Sequence, residues 1–167
     1  VFVLDDANYG SGTFTVTIPD GQAVGDFVLR VKVQQVSDGD PCGDMVYGEV
    51  EDYTISVSQA CSWNGATSTD WATGSNWSTG AAPTSSDTVL INGTFTNEPI
   101  ISSTDAAAGK LIVTTDNTLT IDETSSLTVS GNFTNSGTVT LNSTADDFSS
   151  LIVTGTATGD ITYNRYV

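Results

Sequence analysis

Residues 109–142 read GKLIVTTDNTLTIDETSSLTVSGNFTNSGTVTLN, and the spacing of their apolar positions decides the fold. The apolar residues fall in beats of two or three separated by Thr, Ser, Asn, Asp and Gly, which is a strand pattern and too short for a helical stripe. Followed outward, the beats repeat. Val89, Leu111 and Phe133 stand 22 positions apart, and so do Leu119, Leu141 and Tyr163, and Val129 with Leu151. A period near 22 with such short beats suits a parallel β-solenoid, in which each coil supplies a few strands and buries its inward side chains against the coil below. The reading predicts three interior columns made of those residues. A second β-sandwich is the alternative, because alternating beats in Thr-rich sequence also admit antiparallel pairing.

Upstream of the repeats, Trp63, Trp71 and Trp77 fall close together. Two readings apply to them. Their indole faces suit stacking on a sugar ring, which makes them candidate glycan contacts. The first coil of a solenoid also needs its open apolar end covered, and large aromatics do that efficiently. Before Ser58-Gln59-Ala60, a short linker, the chain reads differently: Thr13–Ile18 (TFTVTI), Phe27–Val33 (FVLRVKV) and Val50–Val57 (VEDYTISV) alternate as sandwich strands with Gly, Pro and Asp turns between them. The fold class is therefore all-β, a partial β-sandwich over residues 1–58 followed by a Trp-capped solenoid over residues 59–167. The opening Val1-Phe2-Val3-Leu4 reads as mid-strand and suggests a piece of a longer polypeptide.

Charge narrows the function. Asp and Glu number 20 against 4 Lys and Arg, a formal net charge of −16. Phosphate contacts need a basic patch, and Arg30, Lys32, Lys110 and Arg165 are all the cations there are, so neither nucleic acid nor an anionic membrane surface is an expected partner. No apolar run approaches the length of a membrane span. The chain contains no His, which removes the usual general base near neutral pH and any His-dependent triad or zinc site. No nucleophile elbow, phosphate loop or dinucleotide fingerprint occurs either. The expectation is a protein that is not an enzyme.

Gly48-Glu49-Val50-Glu51-Asp52-Tyr53 carries carboxylates on both faces of one strand. Arg30 lies on the preceding strand, and a hairpin closed over residues 37–45 brings it within reach of one of them. The other reading of this region is a Ca²⁺ site made from Asp38, Asp40, Asp44 and Glu49, since hard cations take clustered oxygen ligands, although the spacing does not fit an EF-hand loop. Cys42 and Cys61 permit one disulfide with each other. Pairing of Cys42 with a cysteine further upstream is the alternative.

The string at 48–53, with Asp40-Pro41-Cys42-Gly43 before it and Gly25-Asp26-Phe27-Val28-Leu29-Arg30-Val31 earlier still, resembles the C-terminal half of the GEVED domain over about residues 10–57. That module occurs in exported multidomain proteins of Bacteroidetes-type bacteria. Trp63-Asn64-Gly65, Asp70-Trp71, Asn76-Trp77 and the closing Gly159–Tyr166 are similar to solenoid segments of the same class of surface proteins, and Asp87-Thr88-Val89 resembles the short string those bacteria O-glycosylate. These resemblances imply an extracellular or cell-surface protein exported by type IX secretion. They imply a structural or adhesive segment whose partners are surface glycans or other surface proteins, or else an accessory region of a secreted peptidase or glycan hydrolase.

Overall fold

The computed structural model describes residue 18, residues 22–34 and residues 48–167. The chain divides into two compact units, Val1–Gln59 and Ala60–Val167.

In the first unit, β1 (Gly25–Gln34) and β2 (Gly48–Val57) form an antiparallel pair. The register sets Phe27 opposite Ile55 and Leu29 opposite Tyr53 on one face, which also carries Val31 opposite Glu51 and Val33 opposite Glu49. The other face sets Arg30 opposite Asp52 and Val28 opposite Thr54. Of the strand expected at 13–18, all but Ile18 lies outside the described residues.

The second unit is a parallel β-solenoid built from β3 (Cys61–Ser62), β4 (Thr88–Ile91), β5 (Ile100–Ile101), β6 (Ala106–Ala108), β7 (Lys110–Val113), β8 (Thr118–Ile121), β9 (Ser126–Val129), β10 (Phe133–Asn135), β11 (Thr138–Asn142), β12 (Ser150–Val153), β13 (Ala157–Thr158) and β14 (Thr162–Asn164). They form three parallel sheets, in the orders β3-β4-β7-β10-β13, β5-β8-β11-β14 and β6-β9-β12. Successive coils therefore add one strand to each sheet in turn. Outward positions are mostly polar, with Leu90, Ile100, Ala107, Ile112 and Ile152 among them, while Val89, Ile91, Leu111, Val113, Leu119, Ile121, Leu127 and Val129 are fully buried between coils. Each such side chain taken out of water stabilises the fold by about 1.5–3 kcal/mol before entropy is counted.

The first predicted column is present as read: Val89 pairs with Leu111 and Leu111 with Phe133. In the second column Leu141 and Tyr163 pair as read, while Leu119 and the third column are displaced by two residues. Leu119 lies beside Val139, and Leu141 beside Ile121, with Tyr163 next to Leu141. Val129 lies beside Val153, and Leu151 beside Leu127. The reason is corner length. The offset between coils is 22 from Leu111 to Phe133, 20 from Leu119 to Val139 and 24 from Leu127 to Leu151. From Ala106 to Leu127 it is 21, so corner length varies freely while the inward face is kept and the partner changes.

A column the repeat analysis did not register sits at the corner before the first sheet. Gly109, Gly131 and Gly155 stack there. A Cβ on Gly131 would lie 2.6 Å from the Gly109 carbonyl oxygen, and one on Gly155 2.6 Å from the Gly131 carbonyl carbon. Backbone meets backbone at that corner, which leaves no room for a side chain.

Candidate functional site

The loop from Trp63 to Trp77 runs across the first coil. Its backbone is held to that coil by Trp63 N–H donating to the Leu90 carbonyl (2.9 Å), Trp71 N–H to the Ile100 carbonyl (3.0 Å) and Ile100 N–H to the Thr69 carbonyl (2.7 Å). The Trp77 ring meets Trp63 edge to face at 4.9 Å and Trp71 at 4.7 Å. Two of the indole donors are occupied: Trp63 Nε1–H donates to the Asn97 carbonyl and Trp77 Nε1–H to the Trp71 carbonyl, each at 2.8 Å. Asn76, fully buried, ties the loop together by accepting at Oδ1 from the Thr67 and Ser68 amides and donating from Nδ2 to Ser68 Oγ and the Asp70 carbonyl. The three tryptophans are only 2–3% exposed. Their faces are used against one another and against the coil, so the expectation of Trp63, Trp71 and Trp77 as glycan contacts is corrected: a buried ring has no face left for a sugar.

Cys61 requires a second correction. Its thiol is free and buried, with Sγ 3.1 Å from Thr79 Oγ1, and it stands beside Val89 at the start of the first column. Burial pushes its pKa above the ordinary thiol value. The expected Cys42–Cys61 bridge is not made, because Cys61 faces inward as a core residue; Cys42 lies outside the described residues.

Asp38, Asp40 and Asp44, the expected Ca²⁺ ligands, also lie outside the described residues. Glu49 is exposed on β2, opposite Val33. Arg30 makes the anticipated ion pair, and the partner is Asp52: Nε donates to Oδ1 at 2.7 Å and an Nη to Oδ2 at 2.8 Å. The guanidinium hydrogen bonds hold the Asp52 carboxyl pKa below the usual carboxylate range. Glu49 and Glu51 point to the opposite face, which is why register selects Asp52. Asp87, in the string resembling a glycosylation acceptor, accepts at Oδ2 from the Thr84 hydroxyl and amide, both 2.7 Å, and those bonds hold its pKa below the usual carboxylate range. Thr88 opens β4 half-buried beside Lys110.

At the far end of the solenoid the side chains are arranged differently. A shallow cleft lies between residues 143–148 and the segment 163–166, bordered by Asp146, Asp147, Phe148, Tyr163, Arg165 and Tyr166. Phe148 is 70% exposed, Tyr166 60% and Tyr163 48%. Sequence reading placed Tyr163 in an interior column. It does stand over Leu141, but no coil covers its other side among the described residues.

A family model described as Domain of unknown function (DUF8693) matches residues 62–167, and the GEVED domain model matches residues 1–56. The GEVED match thus begins nearer the N-terminus than the residues that first suggested it. No curated protein and no solved structure matches the chain.

Proposed function

We infer that this chain, which belongs to the DUF8693 family through residues 62–167, is a non-catalytic structural or adhesive segment of a secreted or cell-surface bacterial protein. A GEVED domain joined to a β-solenoid fits a non-enzymatic structural or binding segment. The observation that carries the reading is the filled interior: aliphatic columns run through the coils and are closed at the entrance by interlocked tryptophans, so the unit is a packed scaffold whose lateral faces carry mostly short polar side chains. A chain without His has no ordinary general base near neutral pH, which agrees with a scaffold role. The net charge of −16 keeps such a surface soluble.

A second reading, an accessory region attached to a secreted peptidase or glycan hydrolase, draws on the exposed Phe148, Tyr163 and Tyr166 beside Arg165 and two carboxylates. Antiserum against residues 60–167, applied to intact cells of the source bacterium and to its culture medium, tests the first reading. Labelling of unpermeabilised cells or signal in the medium supports it; signal released only by lysis overturns it. Retention of the purified chain on insoluble polysaccharide, lost in Tyr166→Ala, would favour the accessory role.

A further inference from the structure

The corner between β11 and β12 holds four residues more than the corner between β8 and β9, since the coil offset rises from 20 at Leu119 and Val139 to 24 at Leu127 and Leu151. The extra length is tightly folded. Ser143 and Phe148 pair antiparallel, Thr144 N–H donates to the Asp147 carbonyl (2.8 Å), and Asp147 N–H donates to Thr144 Oγ1 (3.1 Å). Ser149 closes the base, with its amide and hydroxyl both donating to the Asn142 carbonyl (3.0 and 2.8 Å). The segment 163–166 is tied to the same corner: Ser143 N–H and Oγ–H donate to the Asn164 carbonyl (3.2 and 3.0 Å), and Tyr166 N–H donates to Ser143 Oγ (2.9 Å). Hydrogen bonds therefore hold both walls of the shallow cleft in one arrangement before any ligand arrives. The side chains on those walls are not used for packing. Phe148 is the most exposed aromatic ring among the described residues, and Tyr166 follows it. Asp146, Asp147 and Arg165 border the same cleft, and among the described residues their charged groups make neither an ion pair nor a side-chain hydrogen bond. A firmly held corner that keeps a phenyl ring in water beside unpaired charges of both signs is built for contact with something outside the chain.

We propose that this cleft binds an uncharged glycan, with Phe148 and Tyr166 against the C–H face of a sugar ring, Asp146 and Asp147 accepting hydrogen bonds from its hydroxyls and Arg165 donating to them. The inference rests on the accessory reading above and names its ligand. Charge selects the occupant. Two carboxylates on a chain of net charge −16 repel uronates, sulfates and phosphates, and Arg165 opposes a cationic sugar. An apolar ligand would take all three charged groups out of water without a partner. A hydroxyl donates and accepts at once, so one sugar ring satisfies the carboxylates and the guanidinium together, while its C–H face gives the aromatic rings apolar surface. The cleft is shallow, which suits a flat ring and gives a peptide side chain no enclosure.

The test is an amide NMR titration of the 167-residue chain with cellohexaose, laminarihexaose, maltohexaose, mannohexaose and the chitin hexasaccharide, and with an oligogalacturonate as the acidic control. At least one neutral sugar should shift the amides of residues 143–148 and 165–166 saturably and leave β7, β8 and β9 unmoved. Phe148→Ala and Tyr166→Ala should each weaken that binding by about tenfold, whereas Phe148→Tyr, which keeps a ring, should retain it. Both alanine variants remove exposed rings, and unchanged resonances of β7, β8 and β9 verify that the coils are intact. If either variant loses those resonances, Arg165→Gln takes its place and should weaken binding without disturbing them. Absence of a shift with every neutral sugar, tighter binding of the oligogalacturonate, or full binding by the alanine variants overturns the proposal. So does a response of the same amides to a casein peptide digest instead, or to protein concentration alone, which would mark the cleft as a peptide site or a contact between two copies. Retention of the chain on insoluble polysaccharide that survives both alanine substitutions would overturn the cleft and leave the accessory role standing, so the two readings fail separately.

Discussion

Entrance and exit of the solenoid stand over the same three sheets, yet at the entrance three indoles are packed out of water and at the exit Tyr163, Ile152 and Phe148 face solvent. The first arrangement is a loop of 15 residues, Trp63 to Trp77, folded back over the coil and bound to it through main-chain hydrogen bonds. The second is the coil interface itself, with no strand beyond β12, β13 and β14 among the described residues. The difference teaches that alternation in the sequence specifies a stacking surface and does not specify where stacking stops. Stopping takes a separate device, and in this protein that device is aromatic.

The largest effect expected from disturbing this contrast is at the centre of the cap. Trp77→Ala removes the ring that contacts both other tryptophans, and urea unfolding should show a loss of about 3–5 kcal/mol. A loss below about 1 kcal/mol would mean that the entrance, like the exit, is closed by something else. Next comes a matched pair within one column. Leu127→Ala, at a fully buried station, should cost about 2–5 kcal/mol, and Leu151→Ala, directly above it but half-buried, less than half as much. Equal costs would show that the exit is as well packed as the interior. Asn142→Ala, which breaks the middle rung of the amide ladder, should cost about 1 kcal/mol in the same assay and speed exchange at β14 more than at β8. The smallest effect concerns Asp87. Its hydrogen bonds to Thr84 hold its ionisation below the ordinary carboxylate range, so its contribution is present above about pH 4 and is lost as pH falls through the lowered value. Because the carboxylate is partly solvated, Asp87→Asn should cost no more than about 0.5–1 kcal/mol at pH 7 and nothing at pH 2. An equal cost at both pH values would trace it to packing.

Much of this architecture is legible in the sequence, for a physical reason that also sets the limit. Inward and outward positions follow from strand parity, so the inward-facing roles of Leu119, Val129, Leu141 and Leu151 are legible in the sequence. Which residue stacks on which depends on corner length, and a constant period cannot register one corner that is two residues short and another that is two long. The Gly109, Gly131 and Gly155 column does carry a readable signal, three glycines each two positions before an inward residue of the first sheet, but it emerges only once the corners are known. Arg30 was legible as an ion-pair residue. Its choice of Asp52 over Glu49 and Glu51 needed the register. Cys61 was misread because its surroundings in sequence are polar while its surroundings in space are Val89, Thr79 and the entrance loop. The tryptophans admitted two chemistries on composition alone, and burial decided between them.

Site-resolved hydrogen exchange on the 167-residue chain tests the central claim, one closed end and one open end, most directly. Amides of β4, β7, β8 and β9 should exchange only through global unfolding, and those of the Trp71 and Trp77 loop nearly as slowly, with protection falling from β11 to β12 and β14. Protection at β12 and β14 equal to that at β8 and β9, or exchange that begins at the tryptophan loop, would contradict it.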